Sequence, residues 1–367
     1  MTILRIETIE DLLSIRDEWN ALLRASRVNS VFLTHEWLST WWKHLAAGIR
    51  LAVLTIRSEG ELVAVAPFAE RRAQYGRMMP RSLEFVGSGV IGSDYLDLIV
   101  KPGSESSVFR TLEEYMTGAG LMLQLSQLRR GEAMSAEFAS HILRGQWVVT
   151  DAKINVCPLI NLAGKTWESY LASLSSNQRY NFNRRLRALV KNGMRLECAT
   201  TPDQAKNALE VVIALHRKRW TSNGGKSEAF QTPHIIDFHR EFVQLAAERG
   251  WLRILSLWLN DAPVAALYGL QYGSIFSFYQ SGLDPAYAKQ SVGLVLMGLA
   301  IKSAIEEGVL EYDFLHGDEE YKFHWSQETR ELGRLELYPP HARALVYRRA
   351  IDLNRAARKM ARRVLAF

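Results

Sequence analysis

Side chains suited to chemistry crowd one stretch of this sequence, from Tyr279 to Trp325. Gln290-Ser291-Val292-Gly293 follows a run that reads as a strand (274–280) and opens an apolar run that reads as a helix (290–307). The first N–H groups of a helix have no intrahelical acceptor, and the macrodipole adds positive potential there. These four residues therefore predict an anion site that needs no basic side chain. A second strand, over 309–315, should lie parallel to the first, because a helix connects the two. His316, Asp318 and Lys322 come just past its carboxyl end, where α/β sheets bind ligands. Asp318 is the preferred acceptor for a proton leaving an amine or hydroxyl, with His316 as the alternative base. Lys322 can steady an oxyanion, or pair with Asp318 or Glu319. Tyr279 and Tyr312 can line the acyl slot or donate a proton or, as strand aromatics, belong to the core.

Ahead of this stretch lies a basic helix. Ser175 and Gln178 suit a capping box, and the helix should run to about residue 190. Arg179, Arg184, Arg185 and Arg187 fall within nine residues, and Arg184, Arg187 and Lys191 share one face. Phe182, Leu186, Leu189 and Val190 should face inward. The arginine row can hold a phosphate-bearing acceptor, such as a nucleotide sugar or a lipid-linked sugar, or it is a solvated face. Trp37, Trp41 and Trp42 read as core, with a sugar-stacking wall as the alternative. His35 and His44 lie too far apart on a helix to share a metal, and no ligand set accompanies them.

The elements that must position these residues form two similar series. The first has a helix over 12–23 and a second capped by Thr34. A hairpin of 50–56 with 62–68 follows, then strands at 83–85 and 95–100, a helix over 107–116 and a strand over 121–128. The second has helices over 167–174, 175–190, 204–220 and 234–249. A hairpin of 252–259 with 263–271 turns at Asn260-Asp261, ahead of the strand–helix–strand run above. Leu51, Leu54, Val63 and Ala64 overlay Leu252, Leu255, Val264 and Ala265, which suggests an internal duplication with a boundary near residues 161–165.

The 367 residues suit two domains and a sizeable core. Hydrophobic residues at 48% and charged residues at 23% exclude a disordered or collagen-like chain. Cys157 and Cys198 alone cannot build a disulfide framework. A net charge of +6 permits an anionic partner without naming one. No leader segment and no membrane-spanning run is visible, so a cytoplasmic location is expected. There is no Walker loop, dinucleotide fingerprint, serine-hydrolase elbow or nucleic-acid module. Residues 341–367 form a basic amphipathic pattern. It fits a helix lying on an anionic membrane, docked on a partner, or packed back on the body.

Asp313-Phe314-Leu315-His316-Gly317-Asp318, Tyr321-Lys322 and Trp325 together resemble the C-terminal signature of the CelD/BcsL-type acetyltransferases. Those are double proteins of the GNAT superfamily, related to the Fem aminoacyl transferases of peptidoglycan synthesis. The tetrapeptide at 290–293 resembles the GNAT turn that holds the coenzyme A pyrophosphate. Three further stretches fit the same family: Phe32 with His35-Glu36-Trp37 and Trp41-Trp42, Asn177 to Leu189, and His216 with Arg219-Trp220.

The resemblance implies an α/β fold with mixed sheets. Two GNAT-like domains would pack side by side: a degenerate one over 1–162 and an acyltransferase over 163–338, followed by a basic helix over 339–367. It implies direct transfer from acetyl-CoA or another acyl-CoA to an amine or hydroxyl, without a metal. Gln290, Ser291, Val292 and Gly293 would hold the donor. Asp318 or His316 would take the proton, and Lys322 would steady the oxyanion. Arg179, Arg184, Arg187, Trp220 and Tyr279 would contact the acceptor. The implied setting is exopolysaccharide or envelope biosynthesis, and the basic C-terminal helix offers peripheral contact at the inner face of a membrane or on a synthase. Two alternatives stand beside it: an aminoacyl-tRNA donor, as in Fem relatives, and a non-catalytic scaffold. The scaffold is favoured by Val295, which stands where the GNAT turn has a small residue.

Overall fold

The structure, a computed structural model, describes residues 1–71, 81–89, 91–222 and 229–364; the side chains of residues 222 and 354–364 fall outside the description. In chain order the first half runs β1 (Thr2–Ile6), α1 (Ile9–Ser14), α2 (Arg16–Ala25), α3 (His35–Leu45), β2 (Ile49–Leu51), β3 (Val53–Ser58), β4 (Glu61–Ala66), β5 (Phe68–Arg71), β6 (Ser82–Phe85), β7 (Ile99–Val100), α4 (Glu105–Ala119), β8 (Met122–Arg129), α5 (Met134–Ile142) and β9 (Val148–Asn161). The second half runs α6 (Trp167–Ser173), α7 (Ser176–Lys191), β10 (Arg195–Ala199), α8 (Pro202–Ser222), α9 (Pro233–Glu248), β11 (Leu252–Leu259), β12 (Ala262–Tyr272), β13 (Ile275–Leu283), α10 (Val292–Glu306), β14 (Glu311–Asp313), α11 (Glu320–Phe323), β15 (Glu328–Tyr338) and α12 (Ala342–Val364). This is the mixed α/β architecture that the resemblance implied.

The helix expected over 12–23 divides at Ile15, because the Ser14 hydroxyl donates to the carbonyl of Asp11 and competes with the helical ladder. Thr34 caps α3 as expected, and the Ser175–Gln178 capping box opens α7 with both reciprocal bonds. Asn260 and Asp261, both with positive φ, make the turn between β11 and β12. The first hairpin is divided. At Ala52 and Pro67 its strands pass from a four-stranded sheet (β1-β3-β4-β7) into the large one, Pro67 having no N–H to continue the ladder. The strand expected over 95–100 is reduced to β7. Tyr95 has φ +58°, and the Asp97 carboxylate draws the N–H of Leu98 to itself.

The large sheet has eleven strands in the order β10-β11-β12-β13-β14-β9-β15-β8-β6-β5-β2. β13 and β14 are parallel, as the intervening α10 requires, and β6 and β8 are parallel across α4. At its centre two strands are exchanged. β9, which follows β8 in sequence, pairs with β14, while β15, which follows β14, pairs with β8. β9 and β15 then pair with each other along their full length. The halves therefore share one continuous sheet.

Helices cover both faces of the β11–β13 region. α8 and α9, backed by α3, bury Trp37, Phe238, Phe242, Ile254 and Tyr268 on one face. α10 with α6 and α7 buries Phe182, Leu296, Met297 and Trp325 on the other. Trp37 and Trp41 are buried and Trp42 packs on the same core, so these indoles are core rather than a sugar wall. His35 bonds the carbonyl of Leu12 and His44 pairs with Glu241, which leaves both in structural roles. In α7, Phe182 and Leu189 are buried as expected, but Val190 is exposed.

Candidate active site

β13 and β14 pair only over residues 275–277 and 311–313, and the chain then leaves the ladder at Leu315, whose φ is +56°. Asp313 fixes that departure by accepting the Leu315 N–H at 2.7 Å. A cleft of about 1130 Å³ opens where the strands part, lined by His216, Trp220, Tyr279, His316, Glu319 and Lys322 among others.

His316 presents its imidazole to this cleft in a fixed orientation. The buried carboxylate of Asp94 accepts from His316 Nδ1 at 2.9 Å and from the His316 backbone N–H at 2.7 Å. With Nδ1 taken, Nε2 is the nitrogen left to receive a proton from a bound group. The hydrogen bond and negative charge of Asp94 raise the imidazole pKa above its ordinary value, more than burial lowers it. NMR titration of the His316 ring should therefore show a midpoint above about 6.5, falling in Asp94→Asn. A midpoint unchanged by that substitution would uncouple the pair.

Asp94 belongs to the first half of the chain. Residues 91–97 lean across the sheet onto the second half and make several anchors. Ile91 accepts the hydroxyl of Tyr279, Gly92 lies against the His316 ring, and Ser93 accepts from the indole of Trp37. Tyr95 donates to Asp313 at 2.7 Å, and Asp97 accepts from the N–H groups of Met134 and Ser135 at the start of α5. Asp94 is the site residue that sequence reading did not find. The available signal was the density of glycine and aspartate over 87–97, a run in which side chains rather than a ladder satisfy the backbone.

The Lys322 ammonium is buried in the cleft wall. It donates to the carbonyls of His316 at 2.7 Å and Leu315 at 3.3 Å, and pairs with Glu319 at 2.9 Å. All three of its N–H donors are thus engaged in holding the loop that carries His316. Steadying an oxyanion would require it to release the half-exposed Glu319. Asp318, the expected base, is exposed and lines neither this cleft nor the next, so His316 is the base that reaches the space. Tyr279 is partly buried against the core with its hydroxyl committed to Ile91, and Tyr312 is stacked on Phe276 in the core.

The arginine row does not reach the cleft. Arg179 donates to the carbonyls of Ala172 and Leu174, Arg184 lies over the ring of Tyr180, and Arg187 bonds the carbonyl of Asn183. Of the basic residues in α7, Arg185 approaches the expected donor turn, donating to the Lys289 carbonyl at 2.9 Å.

At that turn, Gln290 ends a short 3-10 segment rather than opening the helix, and Ser291 has φ +58°. α10 begins at Val292, and no side chain caps it. Gly293 lines a second, apolar cleft of about 840 Å³ with Leu267, Leu283, Leu296, Met297 and Trp325. The two clefts share Arg219, Ser281 and Tyr321, so they adjoin. Val295, in the first turn of α10, is buried in the core cluster. The arrangement sets an uncapped helix start, an apolar cleft and an aspartate-oriented imidazole in sequence. Among the described residues no set of His, Cys, Asp and Glu gathers as metal ligands.

Residues 176–323 match the family model described as an acetyltransferase (GNAT) domain. No curated protein matches the chain. Three solved structures share its fold at low identity. FemX is 11% identical with a TM-score of 0.63, covering 92% of this chain and 97% of its own. A Bacteroides thetaiotaomicron protein of unknown function is 14% identical with a TM-score of 0.56, covering 92% and 100%. L-PGS from Bacillus licheniformis is 12% identical with a TM-score of 0.52, covering 89% and 92%. The matched stretch lies in the second half of the chain, and most residues of both clefts fall within it.

Proposed function

We propose that this protein transfers an acyl group from an acyl-CoA to an amine or hydroxyl seated in the His316 cleft. The observation that carries the reading is the Asp94–His316 pair, facing a cleft that adjoins the apolar channel beginning at Gly293. The N–H groups at the start of α10 receive the donor pyrophosphate, and the apolar cleft takes the pantetheine arm and acyl group. His316 Nε2 accepts the proton of the acceptor as its nitrogen or oxygen bonds to the thioester carbonyl carbon. The carbon–sulfur bond then breaks, and the thiolate takes up a proton, which the imidazolium can return. Asp94 and Lys322 are positioning residues, one fixing the ring and the other its loop.

The acceptor class follows from the sequence resemblance to CelD/BcsL-type acetyltransferases, which favours a sugar-linked acceptor in exopolysaccharide or envelope biosynthesis. A second reading keeps the site and changes the donor to an aminoacyl-tRNA, supported by the fold shared with FemX.

Calorimetric titration with acetyl-CoA and longer acyl-CoAs separates them. A Cβ at Gly293 would come within 3.2 Å of Leu283, so Gly293→Trp fills the channel mouth. Acyl-CoA binding is expected in the parent chain and should weaken about tenfold or more in that variant, with its circular dichroism unchanged. No binding at millimolar acyl-CoA would overturn the acyl-CoA reading, and titration with charged tRNA would then separate the aminoacyl donor from a scaffold.

A further inference from the structure

The C-terminal helix α12 is docked by one face and bare on another. His341 anchors its start by donating from Nε2 to the Thr117 carbonyl at 2.8 Å. Ala344 is buried against Met122 and Tyr338, with Tyr347 packed beside it, and Ile351, on the same side, is half-buried. Val346, Ala350 and Leu353 occupy the opposite side. All three are exposed, Val346 at 68% and Leu353 at 73%. The helix thus packs on the body with its apolar stripe turned outward, which excludes the stripe itself as the docking face.

The sequence continues that stripe through Ala357, Met360 and Val364, at alternating steps of three and four. At 3.6 residues per turn these positions fall within an arc of about 80°. Between residues 342 and 364 there are eight Arg or Lys and one acidic residue, Asp352. Arg343 and Arg349 flank the stripe on its two sides. Pairing this face with a second copy would bring two such basic helices together, against their mutual repulsion. An anionic surface complements both features, since it attracts the charge and its interface accepts a narrow apolar stripe. No described helix is long and apolar enough to cross a membrane, so α12 would lie on the surface rather than span it.

We infer that α12 binds anionic lipid bilayers in the interfacial plane, held between the bilayer on its Val346–Leu353 side and the body on its Ala344–Tyr347 side. The inference is independent of the proposed acyl transfer. The test is co-sedimentation of the full chain with vesicles of phosphatidylcholine alone and of phosphatidylcholine mixed equally with phosphatidylglycerol. Binding is expected only to the anionic vesicles and should be lost when salt is raised to about 0.5 M. The double substitution Val346→Ser with Leu353→Ser keeps every charge and alters exposed positions, so circular dichroism should not change. It should weaken vesicle binding about tenfold or more. Absence of binding to anionic vesicles, or a variant that binds as the parent does, would overturn the inference. So would a vesicle-free dimer that the same substitutions dissociate, which would identify a second copy as the occupant of the stripe.

Discussion

Asp94→Asn should lower turnover by roughly two to four orders of magnitude in a protein that remains folded. The carboxylate of Asp94 can only accept hydrogen bonds, so it fixes the His316 proton on Nδ1 and leaves Nε2 as an acceptor. An asparagine amide can instead donate to Nδ1, which would place the proton on Nε2 and leave no base facing the cleft. Loss of the charge also removes the largest influences that raise the His316 pKa. A general base works in its neutral form, so the rate should rise with pH through the His316 ionisation, and in Asp94→Asn that rise should move to lower pH. Thiol release from acyl-CoA across a panel of amine and sugar acceptors, followed against pH, measures both effects. A variant with lowered activity and an unmoved pH profile would reduce Asp94 to a structural residue.

Arg330→Met should destabilise the folded chain by about 3–5 kcal/mol at neutral pH, because it strands a buried carboxylate. Arg330 pairs with Asp313 at 3.1 Å and with Glu311 at 2.8 Å, and Asp313 is almost wholly inaccessible. Burial pushes the Asp313 pKa up to about 6, with the Tyr95 hydroxyl and Arg330 opposing it. A carboxyl whose folded pKa is raised contributes stability that is full below its unfolded pKa and is lost as pH rises through the folded one. Without Arg330 that loss should grow, so the variant should be weakest above pH 6 and recover part of its deficit near pH 4 to 5. Urea denaturation across this range checks the sign. An equal deficit at every pH would mean that lost packing, rather than the stranded charge, is responsible.

Sequence periodicity was most informative where one helix face or one strand face is buried. The turn at Asn260-Asp261, the caps at Thr34 and Ser175, and the parallel β13–β14 pair all follow from local chemistry. β9 and β15 were not legible. β9 alternates at Asp151, Lys153 and Asn155 but leaves Ile154 exposed between them, and β15 sets Arg330 and Glu331 side by side, so neither pattern marks one buried strand face. Both lie between other strands, and their polar residues are satisfied across the ladder, as in the Arg130, Lys153 and Glu331 ion pairs. The site was half legible for a related reason. His316 and Lys322 sit beside a strong strand–helix–strand pattern, but Asp94 is joined to them only by tertiary contact. The acidity of Asp318 suggested a base, yet the loop held by Lys322 turns His316 inward and leaves Asp318 in solvent.

The central strand exchange sets the order in which this protein can finish folding on the ribosome. β8 and β9 emerge well before β15, which must sit between them. Until residue 338 has left the exit tunnel, both strands present open backbone edges, which are templates for association with other chains. Closing the sheet then requires contacts between segments far apart in sequence, a slow class of folding step. A nascent chain of this protein is therefore a natural client for chaperones until β15 has been made. A message truncated before β15 should yield an aggregating fragment rather than a folded amino-terminal half.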